Sequence, residues 1–167
     1  MLFIIIILIA IVIFLIRERE EPGYNSNSIL NSLTPHYEAP IKDFPETDIN
    51  GKQLLTTYHE AITGVTKIYD GVDPQSILLH LKPGQDLLLE ADPKNKYDKF
   101  AVKVLTTLGE QIGWIPRECY ATNLQQDISD RLINGFTVLA KVKAITGGTN
   151  SKPTYGCVID IARYSKQ

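Results

Sequence analysis

The chain is poor in the residues that build reactive centres. Its 167 residues include two cysteines, three histidines, one tryptophan and one methionine. Cys119 and Cys157 form no C-x-x-C pair, and His36, His59 and His80 are scattered without H-x-x-x-H spacing, so a zinc site has no support. Two thiols in a domain of this size make no disulfide framework, and both are expected to be free. There is no P-loop, no Ser/His/Asp grouping, no set of acidic residues at metal spacing and no internal repeat. These absences argue against an ATPase, a triad hydrolase, a metal-dependent nuclease and a repeat scaffold. The expectation is a binding protein with no catalytic residue, no metal and no cofactor.

Charge is missing from one place. Residues Met1 to Ile16 are all apolar, and every Lys, Arg, Asp and Glu lies after them. Sixteen helical residues reach roughly 24 Å, which falls short of a hydrocarbon core of about 30 Å but can cross it with snorkelling or local thinning. No basic residue precedes the block and no A-x-A site follows it, so an uncleaved transmembrane helix over residues 1–16 fits better than the alternative, an unusually apolar signal peptide. Arg17 and Arg19 follow the block, which favours a single-pass membrane protein with a cytoplasmic soluble domain, although Glu18, Glu20 and Glu21 dilute that asymmetry.

Residues 17–52 read as a flexible acidic tether. They hold Pro22, Pro35, Pro40 and Pro45, four of the nine prolines, with no sustained hydrophobic period. Residues 17–50 carry three basic and seven acidic side chains, whereas residues 51–167 carry fourteen basic and twelve acidic. The formal net charge of −2 is thus an average over an acidic tether and a slightly basic domain.

Residues 53–167 show short β-type runs separated by turn residues. A first strand is expected within Tyr58 to Tyr69, with Gly64 at a bulge or close approach. Asp73-Pro74 opens a short helix, with Asp as N-cap and Pro at the first position, running through Ile77, Leu78 and Leu81 towards Pro83-Gly84. Asp86 to Glu90, Ala101 to Leu105 and Gln111 to Ile115 read as a three-stranded meander. Ala121, Leu124, Ile128 and Leu132 repeat at helical spacing, Thr122-x-x-Gln125 spells a capping box, and Gly135 supplies a stop. Phe136 to Ile145 and Tyr155 to Ala162 are two further strands, joined by a loop from Gly147 to Pro153. The expected fold is mainly β with two helices (α+β), a small antiparallel sheet or partly open barrel of about six strands.

The stretch from Asp92 to Val104 is the most unusual. Lys94, Lys96, Lys99 and Lys103 with Tyr97 and Phe100 surround Asp98 at a strand edge, which combines phosphate attraction with a stacking surface. A plainer reading is a solvated β-turn in which Asn95 and Asp98 bond local backbone and the lysines keep an edge soluble.

Asn95-x-Tyr97-Asp98, then Ala101-Val102-x-Val104, then Gly113-Trp114-Ile115-Pro116-Arg117-Glu118 closely resembles the HIRAN domain, found in some DNA-repair translocases and alone in bacterial proteins. The resemblance covers roughly residues 58–163. It implies a modified OB-like barrel that binds single-stranded DNA in a pocket suited to a free 3′ end. Carried over by position, Tyr97 is the stacking residue, Asp98 the acceptor of the terminal 3′-hydroxyl, and Asn95 shapes the pocket. Arg117 lies near phosphate, and Trp114 lines the pocket or packs in the barrel. Tyr155 is a weaker candidate for a second aromatic wall, and Thr66 or Lys67 for a backbone contact. Lys96 and Lys99 add charge to the same loop.

Three positions depart from the family pattern. Lys96 stands where Pro is usual, Phe100 where Asn is common, and Ala91 where an Arg often precedes the loop. The resulting expectation is a membrane-tethered module that binds single-stranded DNA ends, with RNA as a further possible ligand. The alternative is a protein-interaction adaptor at the membrane that has lost its nucleotide pocket.

Overall fold

A computed structural model describes residues 44–119, 121 and 123–166. The apolar block 1–16 and most of the tether lie outside the described residues. Among the described residues no helix is long and apolar enough to cross a membrane.

Six strands and two helices are present among the described residues: β1 (Leu54–Ala61), α1 (Pro74–Leu78), β2 (Asp86–Ala91), β3 (Val102–Thr106), β4 (Gln111–Trp114), α2 (Leu124–Ile133), β5 (Val138–Thr146) and β6 (Gly156–Tyr164). They form one antiparallel sheet in the order β1-β6-β5-β2-β3-β4, so the expected meander is present as β2-β3-β4. The sheet curls until its edges meet. Thr63, just beyond β1, exchanges both backbone hydrogen bonds with Trp114 at the end of β4, each 2.9 Å. That single bridge joins the two edge strands, which would otherwise offer unpaired backbone groups.

Alternation along the strands divides inside from outside. Val102 and Val104 of β3 and Ile159 and Ile161 of β6 are fully buried, and with Leu87, Ile112, Ala140 and Val142 they fill the core. Leu78 of α1 and Ile128 of α2 enter the same core from the two helices. The opposite parity carries paired charges, Glu90 with Lys103 and Asp86 with Lys141, each at 2.7 Å.

The first strand corrects the sequence reading. It ends at Ala61 instead of continuing to Tyr69, because Gly64 takes φ +75° and the chain then turns away from the sheet. Asp70 (φ +49°) and Gly71 (φ +84°) form a tight two-residue turn closed by Tyr69 and Val72. Thr66 and Lys67 therefore sit in a turn, not in a strand. In α1, Asp73 caps as expected, its carboxylate accepting from Gln75 N–H at 2.9 Å. Thr122 of the expected capping box lies outside the described residues; Asn123 is the N-cap of α2, in a left-handed conformation and without a side-chain cap bond. At the other end Gly135 (φ +73°) stops the helix in a Schellman arrangement, with Phe136 N–H on Arg131 O and Gly135 N–H on Leu132 O.

The boundary of the tether also moves. Residues 44–52 pack on the domain: Asp48 is buried and accepts from Asn50 N–H and Lys52 N–H, Tyr164 Oη donates to Pro45 O, and Leu54 N–H bonds Glu46 O. The folded part thus begins before Gln53. No sustained hydrophobic period marks this segment, and its contact with Tyr164 spans 119 residues.

Both cysteines are free thiols. Burial raises Cys119 to about 11, with the neighbouring Glu60 adding to the shift, and burial alone raises Cys157 to about 12. Neither supplies thiolate at neutral pH. Iodoacetamide at pH 8 is therefore expected to label the native protein slowly and the denatured protein quickly at both positions. Rapid native labelling of Cys119 would show that its burial is wrong.

Candidate nucleic-acid interface

The connection between β2 and β3, residues 92–101, is a loop built from two backbone turns. Asn95 N–H bonds Asp92 O and Ala101 N–H bonds Asp98 O, both at 3.0 Å, and Asp92 N–H closes the loop on Ala101 O at 2.8 Å. Side chains complete the turns in the way short polar residues do. Asn95 Oδ1 accepts from Tyr97 N–H at 3.1 Å, Asn95 Nδ2 donates to Asp92 Oδ2 at 3.2 Å, and Asp98 Oδ1 accepts from Phe100 N–H at 3.0 Å.

Arg117, on the segment after β4, fastens this loop from the side. Its Nη2 donates to Tyr97 O at 3.0 Å and its Nε to Asp98 Oδ2 at 3.3 Å. Tyr97 thereby has its N–H and its C=O engaged while its ring stands out, 76% exposed. The Asp98 side chain is 17% exposed and that of Arg117 68%. Burial alone would raise the Asp98 carboxyl, but hydrogen bonds from Phe100 N–H, Gln125 and Arg117 outweigh it and hold the group below the usual carboxylate range. Asp98 is therefore an anion at neutral pH. Lys96 Nζ lies 4.7 Å from the centre of the Tyr97 ring, and Lys99 Nζ lies 4.8 Å from that of Phe100.

Trp114 occupies the neighbouring wall. The register pairs it with Lys103, so it lies on the outer side of the barrel, while its neighbour Gly113 packs inward against Ile62 and Thr63. The Trp114 ring meets Tyr69 edge to face, with centroids 6.2 Å apart. Tyr69 Oη donates to Gly64 O at 2.8 Å, and a Cβ at Gly64 would approach Tyr69 Oη to 2.4 Å and Trp114 Cδ1 to 3.1 Å. Gly64 is thus needed for close approach as well as for its positive φ.

The structure brings together Asn95, Lys96, Tyr97, Asp98, Lys99 and Arg117 on one loop and its buttress. Trp114 sits beside Tyr69 and Gly64. Tyr155 makes its contacts elsewhere: Gln75 of α1 accepts from its N–H at 2.8 Å and donates to its carbonyl at 3.0 Å, and its ring lies against Gly148. Tyr155 is held as a support for the start of β6. Two participants escaped sequence reasoning. Gln125 reaches Asp98 and also donates to Ile115 O at 3.3 Å, although its only sequence signal suggested a cap; Tyr69, which positions Trp114, carried no signal. Among the described residues no group of three or more His, Cys, Asp or Glu is arranged to hold a metal ion.

The fold and this loop define a small closed β-barrel module with an aromatic and cationic surface loop. The family model of the HIRAN domain matches residues 56–132. The HIRAN domain of human HLTF has a similar crystal structure, with a TM-score of 0.52 and 21% identity, covering 72% of this chain and 84% of that one. A protein from Lactobacillus plantarum aligns with a TM-score of 0.45 and 18% identity, covering 65% of this chain and 99% of that one. No curated protein matches the chain.

Proposed function

We propose that the domain binds single-stranded nucleic acid and prefers DNA with a free 3′-hydroxyl end. A HIRAN domain is a nucleic-acid-binding module, which supports the general activity. The observation that carries the finer reading is the pairing, on one braced loop, of the exposed Tyr97 ring with the half-sheltered Asp98 carboxylate. A ring with a free face stacks any base. An ionised carboxylate has about four acceptor positions, and Phe100 N–H and Arg117 Nε take one on each oxygen of Asp98. A sugar hydroxyl brings a donor for a position that remains, whereas a phosphate brings only negative charge. Arg117, mostly exposed, stays within reach of the strand's phosphates while bracing the loop.

The experiment is a competition on the full chain between oligonucleotides that differ only at the 3′ end. The hydroxyl form is expected to win over the 3′-phosphate by about tenfold, the scale of one charge-assisted hydrogen bond lost and one repulsion gained. Equal affinity for the two ends would overturn the end preference. An absence of binding to any oligonucleotide, RNA included, would overturn nucleic-acid binding itself and leave the adaptor reading. Membrane attachment through residues 1–16, with the domain on the cytoplasmic side, completes the proposal and rests on the sequence of that block.

A further inference from the structure

We propose that Lys96 reads the phosphodiester next to the nucleotide stacked on Tyr97, and that its place over the Tyr97 ring is where it waits when no strand is bound. The inference deepens the proposed nucleic-acid function and rests on it. Three observations lead to it. The Tyr97 backbone is held on both sides, by Asn95 at its N–H and by Arg117 at its C=O, so the ring is the part of the residue left for a ligand. The ammonium of Lys96 covers one ring face at 4.7 Å, so a base has the other face to itself. Lys96 is exposed and lies against this ring, whereas Lys103, Lys141 and Lys143 are paired with Glu90, Asp86 and Asp160.

A base stacked on the open face places its flanking phosphates beyond the ring edge. The four-carbon stem of a lysine spans that distance by rotation about its own bonds, without movement of the loop. The ammonium then exchanges a weak contact with the ring's π cloud for a charged phosphate oxygen. Arg117 is less free to do the same, because leaving its place would release both Tyr97 O and Asp98. The loop thus divides the work: Tyr97 takes the base, Asp98 the terminal sugar, and Lys96 the single linkage between the last two nucleotides. The domain would then distinguish a strand end from a free nucleoside.

The test is a double substitution, one half in the protein and one in the DNA. Lys96→Met keeps the aliphatic stem and removes the charge. A single methylphosphonate replaces the last phosphodiester before the 3′ end and removes the charge there. Each change alone is expected to weaken binding by the full chain about threefold to fivefold, the range of one exposed ion pair. Together they are expected to weaken it no further than either alone. Lys96→Met should also lessen the dependence of log affinity on log salt by about 0.7, the value for one single-strand phosphate. Lys96→Arg should restore both. If the two losses multiply, Lys96 acts elsewhere and the inference fails while nucleic-acid binding stands. If the unmodified chain binds no oligonucleotide, the inference falls together with the function it rests on.

Discussion

Replacing Asp127 by Asn should lower the stability of the domain by about 3 kcal/mol, a fall on the order of 10 °C in melting temperature. The reason is the company Asp127 keeps on α2. Its carboxylate accepts from Arg131 Nε at 2.9 Å, one turn along the helix, and from Arg163 Nη1 on β6. Arg131 is 7% and Arg163 17% exposed at the side chain, so both guanidinium groups are largely removed from water. Arg163 further lies over the Tyr58 ring at 4.5 Å and donates to Tyr58 Oη, while Arg131 donates to Tyr164 O at 2.8 Å. One carboxylate therefore joins the helix to β1 and β6. Removing its charge leaves two sheltered cations facing each other, which costs more than the ion pair itself contributes.

The same carboxylate gives the domain an acid limb. Burial would raise Asp127, but hydrogen bonds and charge from Arg163 and Arg131 prevail and hold it below its ordinary value of 3.8. A group depressed in the folded state contributes stability above its unfolded pKa and loses it as pH falls through the folded value. Asp98, also depressed, has the same sign. Urea midpoints of the unsubstituted chain should thus drop steeply below about pH 4, and Asp127→Asn should flatten that drop because it has one fewer group to protonate. Parallel curves for the two proteins would show that Asp127 is not held as described.

What could be read from the residues was local. Asp73-Pro74 opens α1, Gly135 ends α2, and the alternation in Ala101 to Leu105 gives β3, because in each case the deciding interactions lie within a few residues. Barrel closure was not legible, since it rests on one bridge between Thr63 and Trp114, fifty-one residues apart, with nothing unusual in either neighbourhood. Gly64 was legible as a bulge or a close approach, and the close approach is present; that Tyr69 and Trp114 are the groups closing over it is set by residues that sequence spacing does not connect. The site divides in the same way. Asn95, Tyr97 and Asp98 were legible as a turn with charge and an aromatic; the polar groups bond local backbone, as the plainer reading expected, and the Tyr97 ring is left exposed. The contributions of Arg117 and Gln125 to Asp98 depend on how the segment after β4 and the start of α2 pack beside the loop.

Tyr97→Ala and Asp98→Asn should separate two properties that the loop holds together. Tyr97→Ala removes the exposed ring and leaves the backbone bonds of residue 97 to Asn95 and Arg117 available, so the loop keeps its shape. Affinity should fall roughly tenfold to a hundredfold, the range for one base lost from an aromatic platform, and equally for 3′-hydroxyl and 3′-phosphate ends. Asp98→Asn keeps an oxygen for Phe100 N–H but turns a charged acceptor into an amide, so repulsion of a terminal phosphate disappears. The ratio between the two ends should then approach one, while affinity for the phosphorylated end rises or stays level. The emission of Trp114, the sole tryptophan, reports on the Tyr69 contact beside the loop and should be unchanged in both variants when the barrel is intact. Loss of end preference in Tyr97→Ala, or its survival in Asp98→Asn with native emission, would exchange the roles given to the ring and the carboxylate.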